Sequence, residues 1–143
     1  MSSSKEIEEQ INFFVENLCP QSEKIYHLSI MLFLNTEDAK KCLDETYELA
    51  ADKIKVIAKE EDSLLELVKC CWSVSQKIQS KSVDETLNLS KVLKNLNTKE
   101  RFVIACVDVL NISYSLIALS VGWNSNEISD YIISARKKII TNT

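Results

Sequence analysis

Leu96-Asn97-Thr98-Lys99-Glu100-Arg101 opens the stretch that decides the fold, because from here to Ile139 the chain reads without a gap as helix, helix, tight turn, helix. Asn97 with Glu100 three residues on is a capping-box start for one helix, and Ser113 stands where a second helix needs an N-cap. Asn124 with Glu127 starts a third. Gly122, the only glycine in the protein, falls between the second and third of these helices, at a place that calls for a left-handed residue. Three helices joined in this way are a nucleic-acid-binding shape. Leu96, Phe102, Val103, Cys106, Ile117, Val121, Ile128 and Ile132 are the apolar positions expected to form the core of this C-terminal unit.

Working outward, bulk properties limit what such a shape can do. The 143 residues suffice for one compact domain or two small helical ones, and one glycine with one proline argues against a β-rich or loop-rich fold. The apolar fraction of 45% is ordinary for a globular protein, and no stretch approaches the ~20 apolar residues of a membrane span. The start Met1-Ser2-Ser3-Ser4-Lys5-Glu6 lacks the apolar core of a signal peptide, so a cytoplasmic location is expected. Five scattered cysteines fit reduced thiols there. The net charge of −4 sits awkwardly with phosphate binding, because domains that bind by neutralising phosphates are basic on at least one face.

Helical spacing continues through the N-terminal half. Ile7, Ile11, Phe14 and Leu18 mark a first helix that Cys19-Pro20 interrupts. Tyr26, Ile30, Phe33 and Leu34 mark a second, and Asn35-Thr36 caps a long third helix expected to run to about Glu60. Leu64, Leu67, Val68, Cys71, Trp72 and Val74 are the buried candidates of a fourth. Gln79 to Asp84 is polar and is the best linker, followed by a short helix through Leu87, Leu89, Val92, Leu93 and Leu96. The expected architecture is all-α, with two small helical bundles over residues 1–80 and 93–143 joined by a linker and connecting helix over 81–92.

Two motifs carry a family resemblance. Ile117-Ala118-x-x-Val121-Gly122, with Ile128, Ile132 and Ala135-Arg136-Lys137-Lys138-Ile139, resembles region 4 of the sigma-70 family of RNA polymerase initiation factors, in its short extracytoplasmic-function style. Asn35-Thr36-Glu37-Asp38-Ala39 leading to Asp44-Glu45-Thr46-Tyr47, preceded by Tyr26-x-Leu28-x-Ile30-x-Leu32, resembles region 2. The two likenesses cover about residues 22–78 and 93–140, in the order region 2, linker, region 4. The resemblance implies a transcription initiation factor that binds core RNA polymerase and brings it to promoter DNA, with a C-terminal helix-turn-helix.

It also assigns roles. In the family the region 2 helix docks on a basic surface of the polymerase, so Asp38, Lys41, Asp44 and Glu45 become the expected contacts with core polymerase or an anti-sigma factor. Lys41 stands where the family usually has an acid, and Lys40 and Lys41 pair equally well with Glu37, Asp44 or Glu45 one turn away. Leu67-Val68-Lys69-Cys70-Cys71-Trp72-Ser73-Val74 matches the helix that melts the promoter, but Cys70 and Ser73 occupy its two arginine positions. Lys69, Lys77 and Trp72 remain as DNA candidates, with a core position as the alternative for Trp72. The Cys70-Cys71 pair reads as small apolar filling, with a redox role as the alternative, and is not a metal site. In the recognition helix Asn126, Ser129 and Tyr131 face the bases, but Glu127 and Asp130 place acids where the family carries lysine and arginine. Arg136, Lys137 and Lys138 form a basic patch that DNA or the helix dipole explains equally.

No catalytic constellation surrounds the lone His27, and one glycine cannot build a phosphate-cradling loop. The expectation is therefore a non-enzyme without cofactor, metal, small-molecule substrate or membrane attachment. Its partners are core RNA polymerase, promoter DNA bound weakly by the chain alone, and an anti-sigma factor. The other reading is a degenerate sigma-like interaction module that binds an anti-sigma factor or another helical partner with little DNA binding.

Overall fold

The computed structural model describes residues 3–141, and within them every regular element is helical. Met1, Ser2, Asn142 and Thr143, the outermost positions of the two expected units, lie outside the described residues. The helices are α1 (Ser4–Phe13), α2 (Ser22–Phe33), α3 (Thr36–Asp52), α4 (Ile54–Ile57), α5 (Ser63–Ser75), α6 (Asn88–Leu93), α7 (Thr98–Ile104), α8 (Tyr114–Val121) and α9 (Ser125–Thr141). Among the described residues no helix is long and apolar enough to cross a membrane.

Local chemistry sets most of the boundaries. The Asn35 side chain accepts the Asp38 N–H at the head of α3, and Asp62 accepts the Leu65 N–H at the head of α5. Asn97 and Glu100 form the reciprocal capping box of α7. Ser113 accepts the Leu116 N–H to start α8. After α1 the chain widens into a π turn over Phe14–Leu18 and tightens into a 3-10 turn over Cys19–Gln21, where Pro20 needs no N–H partner. The interruption expected at Cys19-Pro20 is therefore present, as a change of helical pitch rather than a loop. A second π turn, Ala105–Val109, closes α7 and leads to Asn111, whose φ of 57° is left-handed.

The third helix stops earlier than its periodicity suggests. Lys53 leaves helical geometry at φ −100°, ψ 14°, and α4 forms a separate turn. Ile54 and Ile57 of that turn are both buried against the core. The end of α2 is also unusual, because Leu34 takes a left-handed conformation (φ 51°, ψ 36°) without being glycine. It is fully buried, and its carbonyl accepts the Asp84 N–H at 2.8 Å, so burial and a long-range hydrogen bond hold the strained residue.

α2, α3 and α5 pack on one another, as do α7, α8 and α9, and contacts of α2 with α7 and of α5 with α8 join the groups. Leu67, Cys71, Phe102, Ile117, Ile128 and Ile132 belong to one continuous apolar cluster. Of the eight core positions expected in the C-terminal unit, Val121 alone is only half-buried. The polar segment after α5 is anchored as it crosses. Asp84 binds Leu34, the Asn35 amide donates to the Ser82 carbonyl at 3.2 Å, and the Asp38 carboxylate accepts the Lys81 N–H at 2.8 Å.

Candidate nucleic-acid and partner interface

α8 ends at Gly122, whose φ of 76° is left-handed and whose N–H donates to the Ala118 carbonyl at 2.9 Å. Two residues on, the Asn124 side chain accepts the Glu127 N–H at 2.8 Å, and Glu127 reaches back to the Asn124 N–H at 3.3 Å. The Glu127 carboxylate therefore belongs to the cap of α9, where an acid also suits the helix dipole. Asn126 is exposed beside it, Ser129 is half-buried, and Asp130 is exposed. Tyr131 turns toward Trp123, with ring centroids 5.6 Å apart, so its ring packs on the turn.

Trp72 lies at the seam between the two groups of helices. Its ring centroid is 4.4 Å from that of Phe102 and 5.4 Å, edge to face, from that of Trp123. The Lys99 ammonium stands over both Trp123 and Tyr131, 5.6 and 5.9 Å from their ring centroids, completing an aromatic cluster whose cation comes from the chain itself. Of the two roles open to Trp72, packing is the one its neighbours serve.

The cations expected on phosphates are largely engaged inside the molecule. Arg136 grips Asp108 with two bonds, Nη2 to Oδ1 at 2.7 Å and Nε to Oδ2 at 3.3 Å. Asp108 also holds the Arg136 guanidinium above its ordinary pKa. Lys138 donates to Glu100 at 2.8 Å. Lys69 sits 3.4 Å from Glu66 on its own helix, and Lys81 pairs with Glu37. Lys77 and Lys137 are exposed and enter none of these pairs. Arg101 is half-buried, with Nε and Nη1 shielded from solvent and without a hydrogen-bond acceptor among the described residues. Burial lowers its pKa.

Glu100 is the residue whose full role the sequence conceals. Besides capping α7 it accepts bonds from the Ser134 hydroxyl and the Lys138 ammonium of α9, and it is almost wholly buried. Burial pushes its carboxyl pKa up, but the bonds from Lys138, Ser134 and the Asn97 N–H outweigh that, and it lies below the usual value.

On α3 the expected partner contacts separate. Asp38 is buried, with its carboxylate turned to the Lys81 backbone, whereas Lys41 and Asp44 are exposed and Glu45 is half-buried. Asp44 and Glu48 line an open recess of ≈ 650 Å³ with Phe14, Leu43, Tyr47 and Ala51. A second recess shares Phe14 and Ala51 with the first and extends it along α1 past Ile7, Ile11 and Val15. The result is an apolar trough with two acids and, among the described residues, no base along its lining. On α8, Leu119 is 80% exposed. The sequence signals for these surfaces were apolar residues beyond what each helix needs for one buried face.

No three His, Cys, Asp or Glu side chains converge as metal ligands among the described residues. None of the protein-family models compared with the chain matches it, and no curated protein matches it.

Proposed function

We propose that the chain is a sigma-70-like helical interaction module that acts in the cytoplasm by binding a protein partner, an anti-sigma factor or core RNA polymerase, and that contacts promoter DNA only weakly. In this reading residues 1–80 correspond to region 2, residues 93–143 to the region 4 helix-turn-helix, and residues 81–92 join them. The observation that carries it is the internal neutralisation of the would-be DNA cations, Arg136 by Asp108 and Lys138 by Glu100. A cation already paired within the fold must break that pair to release a counterion from DNA, and the gain in affinity shrinks accordingly. The exposed apolar residues support a protein partner. Ile11 and Val15, each 57% exposed, flank a trough edged by Asp44 and Glu48, a surface suited to an amphipathic helix carrying lysine or arginine.

Titration of the full chain with purified core RNA polymerase and with an anti-sigma domain tests the proposal. It requires saturable binding to at least one of them, weakened at least tenfold by Asp44→Lys with Glu48→Lys, and binding to neither overturns it. The second reading, a working initiation factor, draws on the left-handed turn at Gly122 in front of a helix whose Asn126 is exposed. It requires the complex of chain and core polymerase to select one promoter sequence over scrambled DNA.

A further inference from the structure

The cysteine next to Cys70 in sequence has a different neighbour in space. Cys42 on α3 and Cys71 on α5, 29 residues apart, face each other across the helix crossing with their sulfurs 3.7 Å apart. Both are fully buried. Ser29 Oγ of α2 lies 3.6 Å from Cys71 Sγ, while its own hydrogen bond goes back to the Ile25 carbonyl at 2.8 Å. The Thr46 hydroxyl is similarly occupied by the Cys42 carbonyl at 2.6 Å. Besides each other, the Cys71 thiol meets only the Ser29 hydroxyl and the Cys42 thiol faces the Cys71 carbonyl at 4.0 Å, and among the described residues no acid or base is hydrogen-bonded to either. Cys70 points elsewhere, into a recess lined by Lys53, Val56, Lys69 and Ser120.

We propose that Cys42 and Cys71 are an intramolecular disulfide site, closed by hydrogen peroxide, which staples α3 to α5. A disulfide needs the sulfurs about 2 Å apart, so they must close the remaining gap by small rotations of two short side chains that already point at one another. The pair is asymmetric. Hydrogen bonding from Cys71 lowers the Cys42 pKa against the opposing effect of burial, while the same bond and burial raise that of Cys71. Once α3 and α5 separate, Cys42, the easier of the two to ionise, is the thiol assigned to attack the peroxide as its thiolate. Its sulfur bonds one peroxide oxygen as the O–O bond breaks, giving the sulfenic acid of Cys42 and a hydroxide that takes up a proton as water. Cys71 sulfur then displaces the second oxygen, which leaves as water with the Cys71 proton. Two thiols lose two electrons, and the peroxide is reduced to two waters.

Because both sulfurs are buried, the reaction waits on transient separation of α3 and α5, and it is slower than oxidation of the exposed Cys19. The bond closes a loop that would otherwise be free in the unfolded chain, so the oxidised protein melts higher. This site is independent of which partner the chain binds.

The test exposes the full chain to hydrogen peroxide, blocks residual thiols, and maps linked peptides by mass spectrometry without reduction. It uses the unmodified chain and Cys70→Ser, because Cys70 and Cys71 share one tryptic peptide. Oxidation of Cys19 in the same sample serves as the internal standard that reagent was present. The expected result is a Cys42–Cys71 linkage in both chains, reversed by dithiothreitol, with the thermal midpoint raised by several degrees before reduction. Linkage lost in Cys70→Ser, or Cys42 and Cys71 remaining thiols or ending as separate sulfinic acids while Cys19 is oxidised, would overturn it.

Discussion

The Lys138 ammonium lies 2.8 Å from the Glu100 carboxylate, joining the last turns of α9 to the first turn of α7 across 38 residues of sequence. Since Glu100 is nearly inaccessible and also completes the α7 capping box, its removal opens half of that box and breaks the bonds to Lys138 and Ser134 together. Glu100→Ala is expected to cost about 1–3 kcal/mol in denaturant unfolding.

The same carboxylate sets an acid limit. Its folded pKa is lower than the ordinary 4.5, so its contribution is complete above that value and is lost as pH falls below it through the folded pKa. Melting followed from pH 7 to pH 3 should show a smaller acid-side loss in Glu100→Gln than in the unmodified chain. Equal losses in both would assign the acid sensitivity to other groups.

Gly122→Ala is expected to destabilise the protein by ~1 kcal/mol through the backbone alone. A Cβ built there meets nothing within 4 Å, so crowding contributes nothing, and the left-handed φ of 76° is the whole cost. Gly122→Asn, which tolerates that conformation better, should lose less. An unchanged midpoint in Gly122→Ala would show that the turn relaxes.

Trp72→Ala is expected to cost about 3 kcal/mol, because it removes the ring packed on both Phe102 and Trp123. It also separates the helix groups energetically. Unfolding followed by Trp123 fluorescence should then precede unfolding followed by helix content, whereas the two coincide in the unmodified chain. Coincident curves in the variant would mean that the remaining α2–α7 and α5–α8 contacts keep the molecule cooperative.

What the sequence made legible was what is local. Asn35, Asn97 with Glu100, Ser113 and Asn124 with Glu127 announce their helices because cap chemistry acts within three residues. Gly122 could be placed because its conformation excludes most other residues. Leu34 gave no such signal, since its left-handed turn is enforced by burial and by Asp84 fifty residues away. The break at Lys53 was hidden because Ile54 and Ile57 continue the helical period on either geometry. For the candidate site, composition gave the cations but not their partners. Arg136 reaches Asp108 across 28 residues, a pairing that only the packing of α9 on the end of α7 creates.

DNA binding by the isolated full chain, measured against promoter-like and scrambled duplexes from low to physiological salt, tests the central claim most directly. With Arg136 and Lys138 paired internally and Asp130 exposed on α9, binding should be negligible at physiological salt and indifferent to sequence. Asp108→Asn, which frees Arg136, and Asp130→Lys, which leaves the Asn124–Glu127 cap intact, should each strengthen it on both duplexes alike, because charge positions a helix and base edges specify it. Tight binding of the unmodified chain to one sequence over the other would contradict the account.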